Sequence, residues 1–174
     1  MKKILIVVDM QNDFITGSLG TNDAERIVDN VIAKIKEYAP QNIYVTLDTH
    51  SVNYLQTTEG KNLPVEHCIR GTAGWELHER VKEVLADAIN IEKPTFGSYT
   101  LVDQIYSLYM REQELEIELI GLCTDICVIT NALLLKTKMP EVLIKVDSSC
   151  CAGVTPESHE AALTVMKMCQ IQVK

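Results

Sequence analysis

Ile4-Leu5-Ile6-Val7-Val8 is an unbroken run of strand-forming apolar residues that stops at Asp9. A strand with one wet face alternates apolar with polar residues. A strand without alternation has both faces covered, the condition met inside a parallel sheet. The pattern recurs along the chain. Ile43-Tyr44-Val45-Thr46-Leu47 ends at Asp48-Thr49-His50, Ala88-Ile89-Asn90-Ile91 closes at Glu92-Lys93-Pro94, and Ile117, Leu119 and Ile120 lead into Gly121. Residues 142–146 form a fifth such run, ending at Asp147, and 171–173 a sixth.

Helical spacing fills the intervals. Ile27, Val28, Val31, Ile32 and Ile35 lie on one face of a helix over 23–38, capped by Thr21 or Asn22 and followed by Pro40. Leu77, Val81, Val84 and Leu85 mark a helix over 75–86; Leu101, Ile105, Leu108 and Tyr109 mark another; a further one covers 126–138. Thr155-Pro156-Glu157 combines a capping hydroxyl, proline at the first helical position and an acid at the positive end, opening the last helix. Strands alternating with helices predict an α/β fold, a three-layer sandwich around a six-stranded, mainly parallel sheet. Residues 10–20 read as a polar loop. Residues 51–74 read as a longer irregular one, of a length that in compact domains usually carries function.

With 174 residues and 47% hydrophobic content, the chain suits one domain over 1–174 with a sizeable core. Sixteen basic against twenty-four acidic residues leave a formal charge of −8, and no basic run exceeds Lys2-Lys3. That balance disfavours nucleic acid and anionic membranes as partners. The six cysteines do not form a disulfide pattern: Cys150 and Cys151 are adjacent, and Cys68 and Cys123 sit beside candidate site residues. Lys2-Lys3 followed by Ile4 to Val8 imitates a signal peptide, but the apolar run is too short for a secretory core. The expectation is a reduced, soluble, cytoplasmic protein.

In open parallel sheets the ligand lies beyond the carboxyl ends of the strands. Asp9, Asp48 with His50, Lys93, and the segment Gly121-Leu122-Cys123-Thr124-Asp125-Ile126-Cys127-Val128 all fall there. A cysteine in the first turn of the helix at 126–138 sits among unpaired backbone N–H groups, where the helix dipole favours thiolate. An acid, an ammonium and a thiol at neighbouring strand ends point to nucleophilic catalysis. Cys127 attacks a carbonyl, Asp9 carries the proton, and Lys93 keeps Asp9 ionised and oriented. Each residue also has an ordinary structural use: Asp9 as a turn cap, Lys93 as a solvated charge, Cys127 as inert core. Those uses would have to coincide at one edge of one sheet.

Val8-Asp9-Met10-Gln11-Asn12-Asp13-Phe14, Lys93 and the segment from Gly121 to Val128 resemble the signature of the isochorismatase-like cysteine hydrolases, a superfamily that includes nicotinamidases. The resemblance runs from Ile4 to the C-terminus. It implies a six-stranded parallel sheet between helix layers, an Asp-Lys-Cys triad at Asp9, Lys93 and Cys127, and a cis peptide bond joining Leu122 to Cys123. It further implies that the backbone N–H groups of Cys123 and Cys127 face the oxyanion, that an amide is cleaved to an acid through a thioester, and that the protein assembles into homo-oligomers.

Asp48 and His50, two apart on extended backbone, and His67 in the long loop are donors suited to Zn²⁺, Fe²⁺ or Mn²⁺. Spacing alone is weak, since a turn role for Asp48 and a loop hydrogen bond for His67 serve as well. The resemblance strengthens it: nicotinamidases bind metal through such an Asp-x-His and a His in the context matched by His67-Cys68-Ile69-Arg70-Gly71-Thr72-Ala73-Gly74. No organic cofactor is expected. One departure concerns substrate. Nicotinamidases usually carry an aromatic shortly before that His, whereas this chain has Asn62-Leu63-Pro64-Val65-Glu66, leaving Phe14 as a pocket wall. His78 and His159, in charged helical contexts, read as surface residues.

The sequence therefore predicts an amidohydrolase acting on nicotinamide or a related small amide. The rivals are an isochorismatase-type or carbamoyl-amide hydrolase without a metal, a non-catalytic binding protein of the same fold, and a redox protein, the last disfavoured because no Cys-x-x-Cys is present.

Overall fold

Strand β1 (Lys2–Val8) sends alternate side chains to opposite faces of the sheet, and both faces are covered. Ile4, Ile6 and Val8 enter one apolar cluster with Leu101, Ile105, Val128, Leu135 and Met166. Leu5 and Val7 enter the other, with Ile15, Val31, Ile35 and Val81. This explains the missing alternation. A computed structural model describes every residue except Ala86. The remaining strands are β2 (Ile43–Asp48), β3 (Ile89–Lys93), β4 (Leu115–Leu122), β5 (Leu143–Ala152) and β6 (Gln172–Val173). All neighbouring pairs are parallel, in the order β3-β2-β1-β4-β5-β6.

The helices are α1 (Asn12–Ile15), α2 (Asn22–Arg26), α3 (Val28–Ile35), α4 (Thr58–Asn62), α5 (Glu79–Lys82), α6 (Tyr99–Glu112), α7 (Ile129–Lys138) and α8 (Pro156–Met168). Helices α6, α7 and α8 cover one face of the sheet; α1, α2, α3 and α5 cover the other. Among the described residues no helix is long and apolar enough to cross a membrane.

The chain winds outward from β1 through β2 to β3, then returns to place β4 on the other side of β1. The strand order therefore reverses between β1 and β4, and a crevice opens beyond their carboxyl ends, where the connections leave in opposite directions. Gly121 makes the close approach there possible. Its φ is +116°, and a Cβ would lie 2.1 Å from the Val8 carbonyl oxygen. Only glycine meets both conditions without strain.

Several elements depart from the sequence expectations. The helix over 23–38 is divided into α2 and α3 at Ile27, with Thr21 as the cap, its hydroxyl accepting the Ala24 N–H. Of the helix expected over 75–86 only α5 forms, and Ala86 lies outside the described residues. The Asn12 N–H instead donates to the Glu76 carbonyl (2.9 Å), and the His78 N–H to that of Met10 (2.9 Å). These long-range hydrogen bonds hold 76–78 extended against the loop after β1 and override the helical spacing. Both loops contain helices, α1 in 10–20 and α4 in 51–74. Strand β5 continues past Asp147 to Ala152, because Cys150 and Cys151 are buried in opposite clusters.

A polar network crosses the sheet away from the crevice. Glu118 is buried, accepts the Tyr38 hydroxyl at 2.6 Å and the Lys174 ammonium at 3.0 Å, and has Lys34 at 3.9 Å. Lys34 also pairs with Asp147 at 3.1 Å. Burial alone would raise both carboxyl pKa values. The Tyr38 and Lys174 hydrogen bonds outweigh it for Glu118, and those from Ser149 and Lys34 for Asp147, so both lie below their ordinary values. Stabilisation from a carboxyl depressed in the folded state is complete above the ordinary carboxylate range and is lost as pH falls through the folded pKa. The urea midpoint should therefore drop between about pH 5.5 and about pH 3. Glu118→Gln should make that drop shallower; an equal slope in the variant would show that Glu118 contributes nothing to it.

Candidate active site

Asp9 is the first residue beyond β1 and wholly buried. Its backbone is left-handed (φ 48°), a conformation Asp tolerates better than most residues. Its Oδ1 accepts the Thr46 hydroxyl at 2.6 Å, and its Oδ2 lies 2.7 Å from Lys93 Nζ. Lys93, the last residue of β3, is 1% exposed. Its ammonium also lies 3.3 Å from Asp48 Oδ1, 3.1 Å from the Thr95 carbonyl and 3.4 Å from Cys127 Sγ. Asp9, Lys93 and Cys127 are thus brought to one point at the switch in strand order.

Burial disfavours the Lys93 charge, but Asp9, Cys127 and Asp48 outweigh it and hold the ammonium pKa above its usual value. Burial pushes the Asp9 carboxyl upward, against the attraction of Lys93 and with the repulsion of Asp48. The Cys127 thiol is pushed well up by burial and by the Asp9 charge, which Lys93 only partly opposes. Complete burial beside a carboxylate opposes the thiolate that a helix end would favour, while Lys93 pulls the Asp9 pKa down against its burial. Cys127 also lies in a π-helical turn, Thr124–Val128, that precedes α7, rather than in the first α-helical turn. The Val128 N–H reaches back to the Cys123 carbonyl at 3.1 Å. The Leu122–Cys123 peptide is cis, as the resemblance implies.

The second cluster lies beside the first. The His50 N–H donates to the Cys68 carbonyl and the Arg70 N–H to that of His50, both at 2.9 Å, so residues 68–70 pair beside His50 and bring His67 inward. His50 Nε2 is 2.9 Å from Asp48 Oδ2 and His67 Nε2 is 3.6 Å from it. One ligand atom from each of Asp48, His50 and His67 lies within 4.8 Å of the others, and all three residues are buried. His67 Nδ1 meets the Val65 carbonyl at 2.9 Å, which turns Nε2 toward the cluster, the usual support of a metal-bound imidazole. His50 Nε2 is buried and has the Asp48 carboxyl group as its near neighbour, without a hydrogen bond of regular geometry among the described residues. Burial works against ionisation of Asp48, but contacts with His50, His67 and Lys93 hold it well below the usual carboxylate range. A carboxylate oxygen and two imidazole nitrogens gathered in this way fit a divalent ion.

Glu59 escaped the sequence reading. From α4 its Oε1 comes within 3.6 Å of His50 Nε2 and 3.8 Å of His67 Nε2, beside the cluster. Only its place in the long loop hinted at this. Asn131 was missed too. Wholly buried one helical turn beyond Cys127, it donates to the carbonyls of Cys127 (2.8 Å) and Phe96 (3.1 Å) and accepts the Ser98 N–H (2.9 Å). It thereby locks the loop after β3 to the thiol's turn; a polar residue within the apolar pattern of 126–138 was its signal. His159, expected on the surface, is half-buried with Nδ1 2.8 Å from the buried Thr124 hydroxyl. His78 is half-buried as well.

A cavity of about 330 Å³ opens above Cys127, with Phe14, Phe96, Ile126, Val154 and Leu63 among its walls and Asp48, Glu59 and His67 at one end. Phe14 packs against the His67 ring at 5.6 Å, as a pocket wall should. Phe96, three residues after Lys93, is an aromatic wall the sequence reading did not identify.

Fold and site together define an α/β protein with a buried Asp-Lys-Cys cluster and a carboxylate–histidine cluster at the switch in strand order. The isochorismatase domain family model matches residues 3–173. A Bacillus subtilis protein described as an uncharacterized isochorismatase family protein is 30% identical over 94% of this chain and 93% of its own length. The crystal structure of a nicotinamidase from Bacillus subtilis superposes with a TM-score of 0.83 at 30% identity, covering 99% of both chains. That of the Pyrococcus horikoshii pyrazinamidase in complex with zinc gives 0.78 at 26% identity, covering 100% of this chain and 99% of that one. The chain belongs to the isochorismatase family, among its nicotinamidase-related members.

Metal binding is expected to show as stabilisation. Chelator-treated protein should gain the equivalent of ~3–4 kcal/mol with zinc at 100–1,000 times its Kd. His50→Ala combined with His67→Ala should abolish the gain, as read by thermal denaturation and elemental analysis. An equal gain in the double variant would exclude this cluster.

Proposed function

We propose that the protein is a cysteine-dependent amidohydrolase that converts a small carboxamide to the carboxylic acid and ammonia through a thioester. The observation that carries this reading is the Lys93 ammonium holding Asp9 (2.7 Å) and Cys127 (3.4 Å) together beneath a largely apolar pocket.

Burial raises the pKa of the Cys127 thiol and of the Asp9 carboxyl, so the sulfur gains from a base beside it and Asp9 is suited to accepting and returning its proton. Proton transfer from Cys127 to Asp9 accompanies attack of sulfur on the amide carbon, forming the C–S bond. The oxygen takes up the negative charge and meets the backbone N–H groups of Cys123 and Cys127, as the resemblance implies. Collapse breaks the C–N bond, the Asp9 proton leaves with ammonia, and a thioester remains. Water then gives its proton to Asp9 as it adds to the thioester. Return of that proton to sulfur releases the acid and restores the thiol. Lys93 stays an ammonium throughout and stabilises the carboxylate form of Asp9 and the thiolate as they develop. A divalent ion held by Asp48, His50 and His67, with Glu59 in reach, would supply a fixed positive charge to orient a polar substrate atom at that end of the pocket.

Nicotinamide is the first substrate to try, since solved relatives carry the names nicotinamidase and pyrazinamidase. The metal-free isochorismatase-type alternative is less well supported. Cleavage of a vinyl ether has no use for a buried thiol, and it leaves the Asp48–His50–His67 cluster without a role. Wild-type protein should release ammonia from nicotinamide or from a member of a small amide panel, and added hydroxylamine should divert the thioester to a hydroxamate. Cys127→Ala should lower kcat/KM by about 10³-fold or more. Undiminished activity in that variant would remove the nucleophile assignment.

A further inference from the structure

Leu63, Phe96 and Val154 are 39%, 44% and 53% exposed, and all three line the cavity above Cys127. They come from three separate connections: the end of α4, the loop after β3 and the loop after β5. Single exposed apolar side chains are ordinary. Three that converge on the mouth of one cavity form an apolar lip continuous with its apolar walls at Phe14 and Ile126.

The lip is held in place. The Val154 N–H donates to the Asp125 carboxylate at 3.2 Å. The Phe96 carbonyl accepts from Asn131 at 3.1 Å, and the Leu63 carbonyl accepts the Tyr54 hydroxyl at 2.9 Å. These surfaces are ordered before a ligand arrives, which lowers the entropy lost on binding.

Charge points the same way. No Lys or Arg is among the residues lining the cavity. The nearby Lys93 ammonium is already taken up by Asp9, Asp48 and the Thr95 carbonyl. Arg70 faces a different depression and pairs with Glu92. The imidazole that lines it, His67, faces the Asp48 carboxyl group at 3.6 Å, and the other acid–base side chains there, apart from the thiols, are the acidic Asp48 and Glu59. A carboxylate on the acyl chain of a substrate, carried among Leu63, Phe96 and Val154, would be desolvated without a cationic side chain beside it.

We propose that this site selects neutral amides with a hydrophobic acyl group long enough to pass from Cys127 to the lip, and rejects amides whose acyl group carries a carboxylate. The proposal rests on the amidohydrolase reading. The reaction stays amide plus water to acid plus ammonia; what the lip adds is apolar surface covered when the substrate binds.

The test is kcat/KM by ammonia release across propanamide, butanamide, pentanamide, hexanamide and octanamide, with nicotinamide, benzamide and 4-butylbenzamide alongside. Succinamate serves as the anionic counterpart of pentanamide. Each added methylene should raise kcat/KM about fourfold until the lip is covered. Butylbenzamide should exceed benzamide, and succinamate should fall at least about 100-fold below pentanamide. Val154→Ser and Phe96→Ser, both at half-exposed positions, should each lower the hexanamide-to-propanamide ratio by about fivefold. Hydrolysis that is flat or falling with chain length, or equal for succinamate and pentanamide, would overturn this proposal and leave the amidohydrolase reading standing. No turnover of any amide would overturn both.

Discussion

Lys93 is the charge on which the rest of the site depends. An ammonium taken wholly out of water is tenable only when several anionic or polar atoms replace its hydration, and Asp9, Asp48, the Thr95 carbonyl and the Cys127 sulfur do so. Each of those partners comes from a different strand end or the loop beyond it, so satisfying one lysine draws four segments of chain to a point. The same contact links the thiol cluster to the histidine cluster, because Asp48 faces Lys93 with Oδ1 and His50 with Oδ2. Neither cluster is electrostatically independent of the other.

The crevice that receives these groups is a consequence of winding. With β2 and β3 on one side of β1 and β4 and β5 on the other, the connections leave the sheet in opposite directions and open a gap beyond the carboxyl ends of β1 and β4. Gly121 lets β4 press against the Val8 carbonyl at that place, which sets Asp9 and the Cys127 turn side by side. A second layer of polar contacts then fixes the turn. Asn131 ties it to the loop after β3, while Asp125 and the Thr124–His159 pair tie it to the start of α8. Buried polar groups satisfied in this way hold one arrangement and raise the cost of any other.

Much of this was legible in the residues. Uninterrupted apolar runs require two covered faces, and that periodicity, with the strand-terminal Asp9, Asp48, Lys93 and Cys127, located the sheet and one edge of it. Legibility failed where long-range contact overruled local pattern. Residues 76–78 have helical spacing but lie extended against the loop after β1. Strand β5 runs past Asp147 because Cys150 and Cys151 find apolar cover on opposite faces. Glu59, Asn131 and His159 could not be assigned to the site from the sequence, since nothing in their local spacing says which groups they will face.

What the sequence by itself determined is the α/β class, the parallel sheet and the identity of the groups gathered at its carboxyl edge, because side-chain period and chemistry are local properties of the chain. What only the tertiary structure decided is their state and their setting. Burial and a neighbouring carboxylate push the Cys127 thiol pKa well up, against the pull of Lys93. The pocket is apolar to its lip because Leu63, Phe96 and Val154 meet there from three loops remote in sequence. Desolvation and the convergence of distant side chains depend on where the chain returns to itself, and neither is written in the order of the residues.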